Sequence, residues 1–156
     1  SAKFSAPKSS GFDPKWAIER ALYILQNPTS CWTTIRSEQR SVSQLYTEYA
    51  LILGGIASLC GFVGMMLFGV SIPFVGSYSP PFFSTLISTI VQLALMMGML
   101  FVLALVIQKL AAVFSGNATI EDSFKLVAYA MTANFAGGML GIIPALWPLA
   151  TLLGLY

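Results

Sequence analysis

The chain has 156 residues, 56% of them hydrophobic and only 9% charged, against about 25% charged in ordinary soluble domains. Its net charge of +2 is too small to point to nucleic acid, and the lack of any histidine removes the commonest metal ligand and general base at neutral pH. The two cysteines, Cys31 in a polar segment and Cys60 inside an apolar run, have neither the spacing of a zinc knuckle nor a setting that suggests a disulfide.

Residues 1–11 read as a flexible tail. Asp13-Pro14 has the form of an N-cap followed by proline at the first helical position. From Lys15 to Gln26, Ile18, Ala21, Leu22 and Leu25 share one helical face, and Trp16 and Tyr23 suit a membrane interface. That segment is too short to span, so the pattern predicts a helix lying along the membrane surface. Asn27-Pro28 repeats the cap-and-proline signal and opens a second short helix through Trp32 and Ile35, completing an interfacial region over residues 12–40.

Ser41-Val42-Ser43-Gln44 has capping-box spacing and launches the first span, about 45–70. From Tyr49 to Gln108 there are sixty consecutive residues without Asp, Glu, Lys or Arg. A bilayer core about 30 Å thick takes roughly 20 apolar residues to cross, so this run holds two crossings and a turn. The turn lies at Ser71-Ile72-Pro73 and Gly76 to Pro81, where helix breakers cluster. The second span, 82–114, is roughly 50 Å long at helical rise and ends at Ser115-Gly116-Asn117. Thr119 to Asp122 is another cap pattern, opening a third span over 120–141. Pro144 and Pro148 then punctuate an apolar tail too short to cross, which reads as the start of a fourth span continuing past Tyr156. The fold class is an all-α, polytopic transmembrane bundle over 41–156, with three full spans and the start of a fourth, preceded by short interfacial helices.

All fourteen charged residues lie in 1–48 or 109–125, and six of the eight basic ones precede the first span. The positive-inside rule then places both charged segments in the cytoplasm and the turn at 71–81 outside.

Among side chains able to carry chemistry, Gln92 and Asn134 are the strongest polar groups within the spans. Neutral amides in lipid commonly bond neighbouring helices, and the alternative is a solute pathway. Glu48, near the start of the first span, reads as an interfacial carboxylate beside its own helix N-terminus, with a proton-coupling carboxylate as the alternative. Small residues recur at packing intervals: Gly54 with Ser58, Ala57 with Gly61, and Ala133, Gly137 and Gly141. Met96, Met97 and Met99 read as adaptable packing rather than a soft-metal site. No phosphate loop, nucleophile elbow or zinc-protease motif is present, so no catalytic, cofactor or metal residue is assigned.

Asn27-Pro28, Trp32, Ile35 and Glu38, then Leu45-Tyr46 and Tyr49 before a Gly/Ala-rich span, resemble the opening of the Yip family domain. Phe114-Ser115-Gly116, Phe124, Val127, Tyr129-Ala130, Ile143-Pro144, Trp147-Pro148 and Gly154-Leu155-Tyr156 extend the likeness, so that it covers residues 18–156. These are the Ypt/Rab-interacting integral membrane proteins, and the chain is similar to a bacterial-type member. The resemblance implies a five-helix bundle with a cytoplasmic N-terminus and an outside C-terminus. Members often carry proline just after the Tyr-Ala motif, where this chain has Thr132-Ala133-Asn134. Eukaryotic members bind Rab GTPases through an acidic N-terminal stretch. Residues 1–17 here hold a single acid, Asp13, so that activity does not carry over.

The reading is a non-enzymatic bacterial inner-membrane scaffold or accessory subunit. Trp16, Ile18, Leu22, Leu25 and Trp32 would lie at the interface, with lipids and other integral membrane proteins or a second copy as partners. The alternative is a small transporter or channel using Gln92 and Asn134.

Overall fold

The computed structural model describes residues 13–27, 30–37, 41–72, 76–114, 116–143, 146 and 152. The expected tail at 1–11 and nearly all of the expected fourth span lie outside them.

Helix α1, Pro14–Gln26, begins where the Asp13 carboxylate accepts from the Lys15 and Trp16 amides at 3.0 and 3.3 Å. It stops at Asn27, whose N–H still reaches the Tyr23 carbonyl. Helix α2 spans Cys31–Ser37. Ser41 then starts α3, Val42–Leu45, through a full capping box: the Gln44 amide donates to Ser41 Oγ, and the Ser41 amide to Gln44 Oε1. The helix continues without a break through a π-helical turn, Tyr46–Ala50, into α4, Leu51–Phe68. The wider turn admits an extra residue, and it directs Tyr49 and Ala50 inward behind Leu45.

Helix α4 ends at Gly69, whose φ of +65° closes the terminus with a 3.0 Å bond to the Met65 carbonyl. A β-carbon at Gly69 would stand 2.9 Å from the Tyr78 carbonyl oxygen, so both conformation and space select glycine. The turn expected at 71–81 is built on a two-stranded antiparallel ribbon, β1 (Val70–Ile72) with β2 (Gly76–Tyr78), in which Ser71 faces Ser77. Helix α5, Phe82–Val113, follows.

Among the described residues, two helical stretches are long and apolar enough to cross a membrane, Val42–Phe68 and Phe82–Val113. Their most apolar windows are only 28% and 17% buried, so they are not core helices of a soluble protein. Phe83, Ile87, Leu95, Leu59 and Leu67 are all more than half exposed, an arrangement stable only against apolar surroundings.

The third expected span, 120–141, is not one helix. Thr119 caps α6, Ile120–Ala130, by accepting from the Asp122 amide at 3.1 Å. Helix α7 covers Thr132–Met139 and runs into a 3₁₀ turn at Leu140–Ile142. At Met131 the chain turns, and the Thr132 hydroxyl bonds back to the Tyr129 carbonyl at 2.6 Å, occupying an acceptor that a continuing helix would use. At 11 and 8 residues, neither piece reaches the length needed to cross.

The chain packs as two units, residues 1–52 with 100–132, and residues 53–99 with 133–156. Trp16, Leu45, Tyr49, Leu100, Phe124 and Tyr129 fill the core of the first. Leu53, Met97, Ala133 and Phe135 are buried in the second.

Candidate functional site

In the first unit, α1, the π turn and the α6–α7 break meet around buried aromatic rings. Trp16 and Arg20 lie one turn apart on α1, and both are almost wholly buried. Trp16 stands edge-on to Tyr49 at 6.0 Å between centroids, and Tyr49 edge-on to Tyr129 at 5.0 Å. The Arg20 guanidinium lies 5.2 Å from the Tyr129 ring centre, where the ring face attracts a cation. The Thr132 hydroxyl has a single proton, which it gives to the Tyr129 carbonyl. The 2.6 Å contact with Tyr49 must therefore run from the Tyr49 hydroxyl to Thr132 Oγ1. This relay ties the π turn to the helix break. Burial pushes the Cys31 thiol up, against a smaller opposing pull from Arg20, and neither Cys31 nor Cys60 is in a disulfide. A raised thiol pKa disfavours the nucleophilic thiolate.

This packing corrects one expectation. Trp16 was assigned to the membrane interface, but it is 1% exposed and packs on Tyr49, because the buried stripe of α1 is Trp16, Ala17, Arg20, Ala21 and Ile24. Ile18 and Leu22, at 41% and 50% exposure, lie outside that stripe; Leu25 is half-buried and Trp32 exposed.

In the second unit, α4, α5 and α7 enclose a groove of about 440 Å³. Gln92 and Asn134 both line it, together with Ser58, Ser88 and Thr89. Ser88 and Thr89 give their hydroxyl protons to the Thr85 carbonyl of their own helix, at 2.9 and 2.8 Å. Their oxygens are left to accept. The Gln92 carboxamide, exposed in the middle of α5, makes no hydrogen bond to another described residue. Among the described residues the polar side chains lining the groove are neutral amides and hydroxyls, which are suited to hydrogen-bonding a neutral polar group.

Glycines form its walls, with partners only partly expected. A β-carbon on Gly138 would stand 2.9 Å from the Ala57 methyl, so Ala57 packs directly on α7. Gly64 lies against the Gly141 carbonyl and the Ile142 backbone. Gly54 faces the flexible ends of Met96 and Met97. Gly61, expected to pair with Ala57 in a packing seam, has open space around it and lines the groove with Ser58, Gly137 and Gly141. Ala133 is buried. Sequence spacing missed Gly64 and Gly138 because it ranked glycines by intervals within one helix, whereas contact depends on which face the neighbour meets. Arg20 lies off the face drawn through Ile18, Ala21, Leu22 and Leu25, and its position four residues after Trp16 was the available signal for its place in the buried stripe.

Long apolar helices with lipid-compatible faces, joined by a short ribbon, define an integral membrane protein. A family model, the Yip1 domain, matches residues 22–156, and the chain belongs to that family. No curated protein and no solved structure matches it. Tyr49 and Tyr129, both elements of the resemblance, stand edge-on to each other in the buried aromatic core of the first unit.

Proposed function

We propose that the chain is a non-enzymatic scaffold or accessory subunit of a membrane assembly, and that its groove receives a transmembrane helix of a partner protein or a second copy. The observation that carries this is Gln92. A carboxamide in mid-span without a bond among the described residues is costly in hydrocarbon, and a neighbouring helix with a polar side chain removes the cost. The glycine walls favour a helix as the occupant, since small residues permit backbones to approach closely. The setting we propose is a bacterial inner membrane; the charge segregation supports a cytoplasmic N-terminus, and exposed Ile18 and Leu22 support contact of α1 with the membrane surface.

A photo-crosslinking residue at Gly61 in the native membrane should give one discrete adduct, and Gln92→Leu should diminish its yield. A ladder of non-specific products unaffected by Gln92→Leu would remove the proposal. The groove also favours a second reading, passage of a small neutral polar solute along Gln92 and Asn134. Flux in proteoliposomes holding this chain alone, abolished by Gln92→Leu, would select that reading instead.

A further inference from the structure

We propose that a cavity in the first unit, bounded by α2, the C-terminal part of α5 and the start of α6, binds the phosphodiester headgroup of an acidic phospholipid. The cavity holds about 710 Å³ and has walls of two kinds. Arg36, Lys125, Asn117 and Ser123 supply hydrogen-bonding groups, while Ile107 and Leu126 supply apolar surface.

Among the described residues that line it, the charges balance to leave one cation. The Lys125 ammonium lies 3.2 Å from Asp122, and the Thr119 hydroxyl donates to the same carboxylate at 2.8 Å. Those two partners hold the Asp122 carboxyl below its usual range, so the pair is an internal ion pair at neutral pH. Arg36 is exposed and makes no ion pair among the described residues. Among the described residues it is the uncompensated charge of this cavity, and a phosphodiester carries one negative charge. Guanidinium also suits phosphate oxygens through two parallel donors.

A second feature points to a ligand. The Ser123 hydroxyl is buried, with the residue 1% exposed, and it has no hydrogen-bond partner among the described residues. Buried hydroxyls are nearly always bonded, and a rotation about the Ser123 Cα–Cβ bond would bring this one from behind the wall to a ligand oxygen in the adjoining cavity.

Depth selects a lipid over a soluble phosphate. Lys109 is the first charge after the sixty-residue neutral run, so Ile107 marks the level at which α5 leaves hydrocarbon. Trp32, 38% exposed beside the cavity, is the residue type that concentrates at that level. Val106 and Leu110 on α5 are exposed, apolar, and available to acyl chains. The site does not depend on whether a helix fills the groove of the other unit, so the two proposals fail separately.

The full chain in neutral detergent, titrated with short-chain phosphatidylglycerol, should bind it saturably and gain thermal stability. Short-chain phosphatidylcholine should bind much more weakly. Arg36→Gln should weaken phosphatidylglycerol binding about fivefold, the effect of one basic group near an anionic headgroup. Arg36→Lys should restore most of it, and Lys15→Gln, an exposed cation outside the cavity, should change nothing. Ser123→Ala, which removes the hydroxyl with little change of shape, should also weaken binding and covers the case in which an Arg36 variant fails to fold. Equal binding of phosphatidylcholine, or equal losses from Arg36→Gln and Lys15→Gln, would overturn the site. Glycerol 3-phosphate binding as tightly as phosphatidylglycerol would make the ligand a free phosphate and overturn the lipid assignment.

Discussion

The direction of the hydroxyl relay makes its two ends unequal. Tyr49→Phe removes a donor and leaves Thr132 still bonded to the Tyr129 carbonyl, a loss of about 0.5–1.5 kcal/mol. Thr132→Val strands the buried Tyr49 hydroxyl without its acceptor, which costs about 1–3 kcal/mol. Thermal unfolding in detergent should therefore place Thr132→Val below Tyr49→Phe, and the double variant should lose less than the sum. A larger loss for Tyr49→Phe than for Thr132→Val would mean that the relay runs the other way. Asp122 gives a pH-dependent counterpart. Its carboxyl is held below the usual range, so its contribution is complete above the ordinary carboxylate pKa and disappears as pH falls through the lowered native value. Amide exchange in the first turn of α6 should accelerate over that acid range, and Asp122→Asn should remove this pH dependence.

Elements were legible in proportion to how local their causes are. The Asp13, Ser41 and Thr119 starts depend on a side chain and an amide two or three residues away, and each stands where its spacing indicated. The two long apolar helices follow from composition. The break at Met131 could not be read, because Tyr129-Ala130-Met131-Thr132 contains no proline or glycine; the cause is a threonine hydroxyl held in place by Tyr49, eighty-three residues away. The site was half legible: Gln92 and Asn134 stood out as polar groups in apolar runs, but their shared groove with Ser58 and Thr89 is tertiary. The same distinction separates the glycines. Gly138→Ala drives a methyl into Ala57 and should destabilise, whereas Gly61→Ala meets open space and gains up to about 1 kcal/mol in helix propensity. Melting curves of the two variants should shift in opposite directions; a drop for Gly61→Ala would mean that the groove is closed.

For the whole molecule, the complete separation of charged from uncharged segments is the basis of the proposed orientation. With Cys31 and Cys60 replaced by alanine, a cysteine at Ser77 should react with an impermeant thiol reagent in intact cells, and one at Asn117 only after permeabilisation. The reverse pattern would invert the topology.

The small ribbon between α4 and α5 also bears on how the protein is made. Whatever joins two spans must itself travel through the membrane once, before either helix is in place. Residues 69–81 contain no charged side chain, and backbone groups of β1 and β2 satisfy one another across the turn. The connection is thus a low-resistance cargo, and the hairpin can be inserted as a unit. Each lysine placed there would add a transient barrier of up to about 2.5–3.5 kcal/mol at the bilayer centre. Ser77→Lys with Ser79→Lys should therefore slow integration in a translation-coupled insertion assay while leaving the melting point of already inserted protein nearly unchanged.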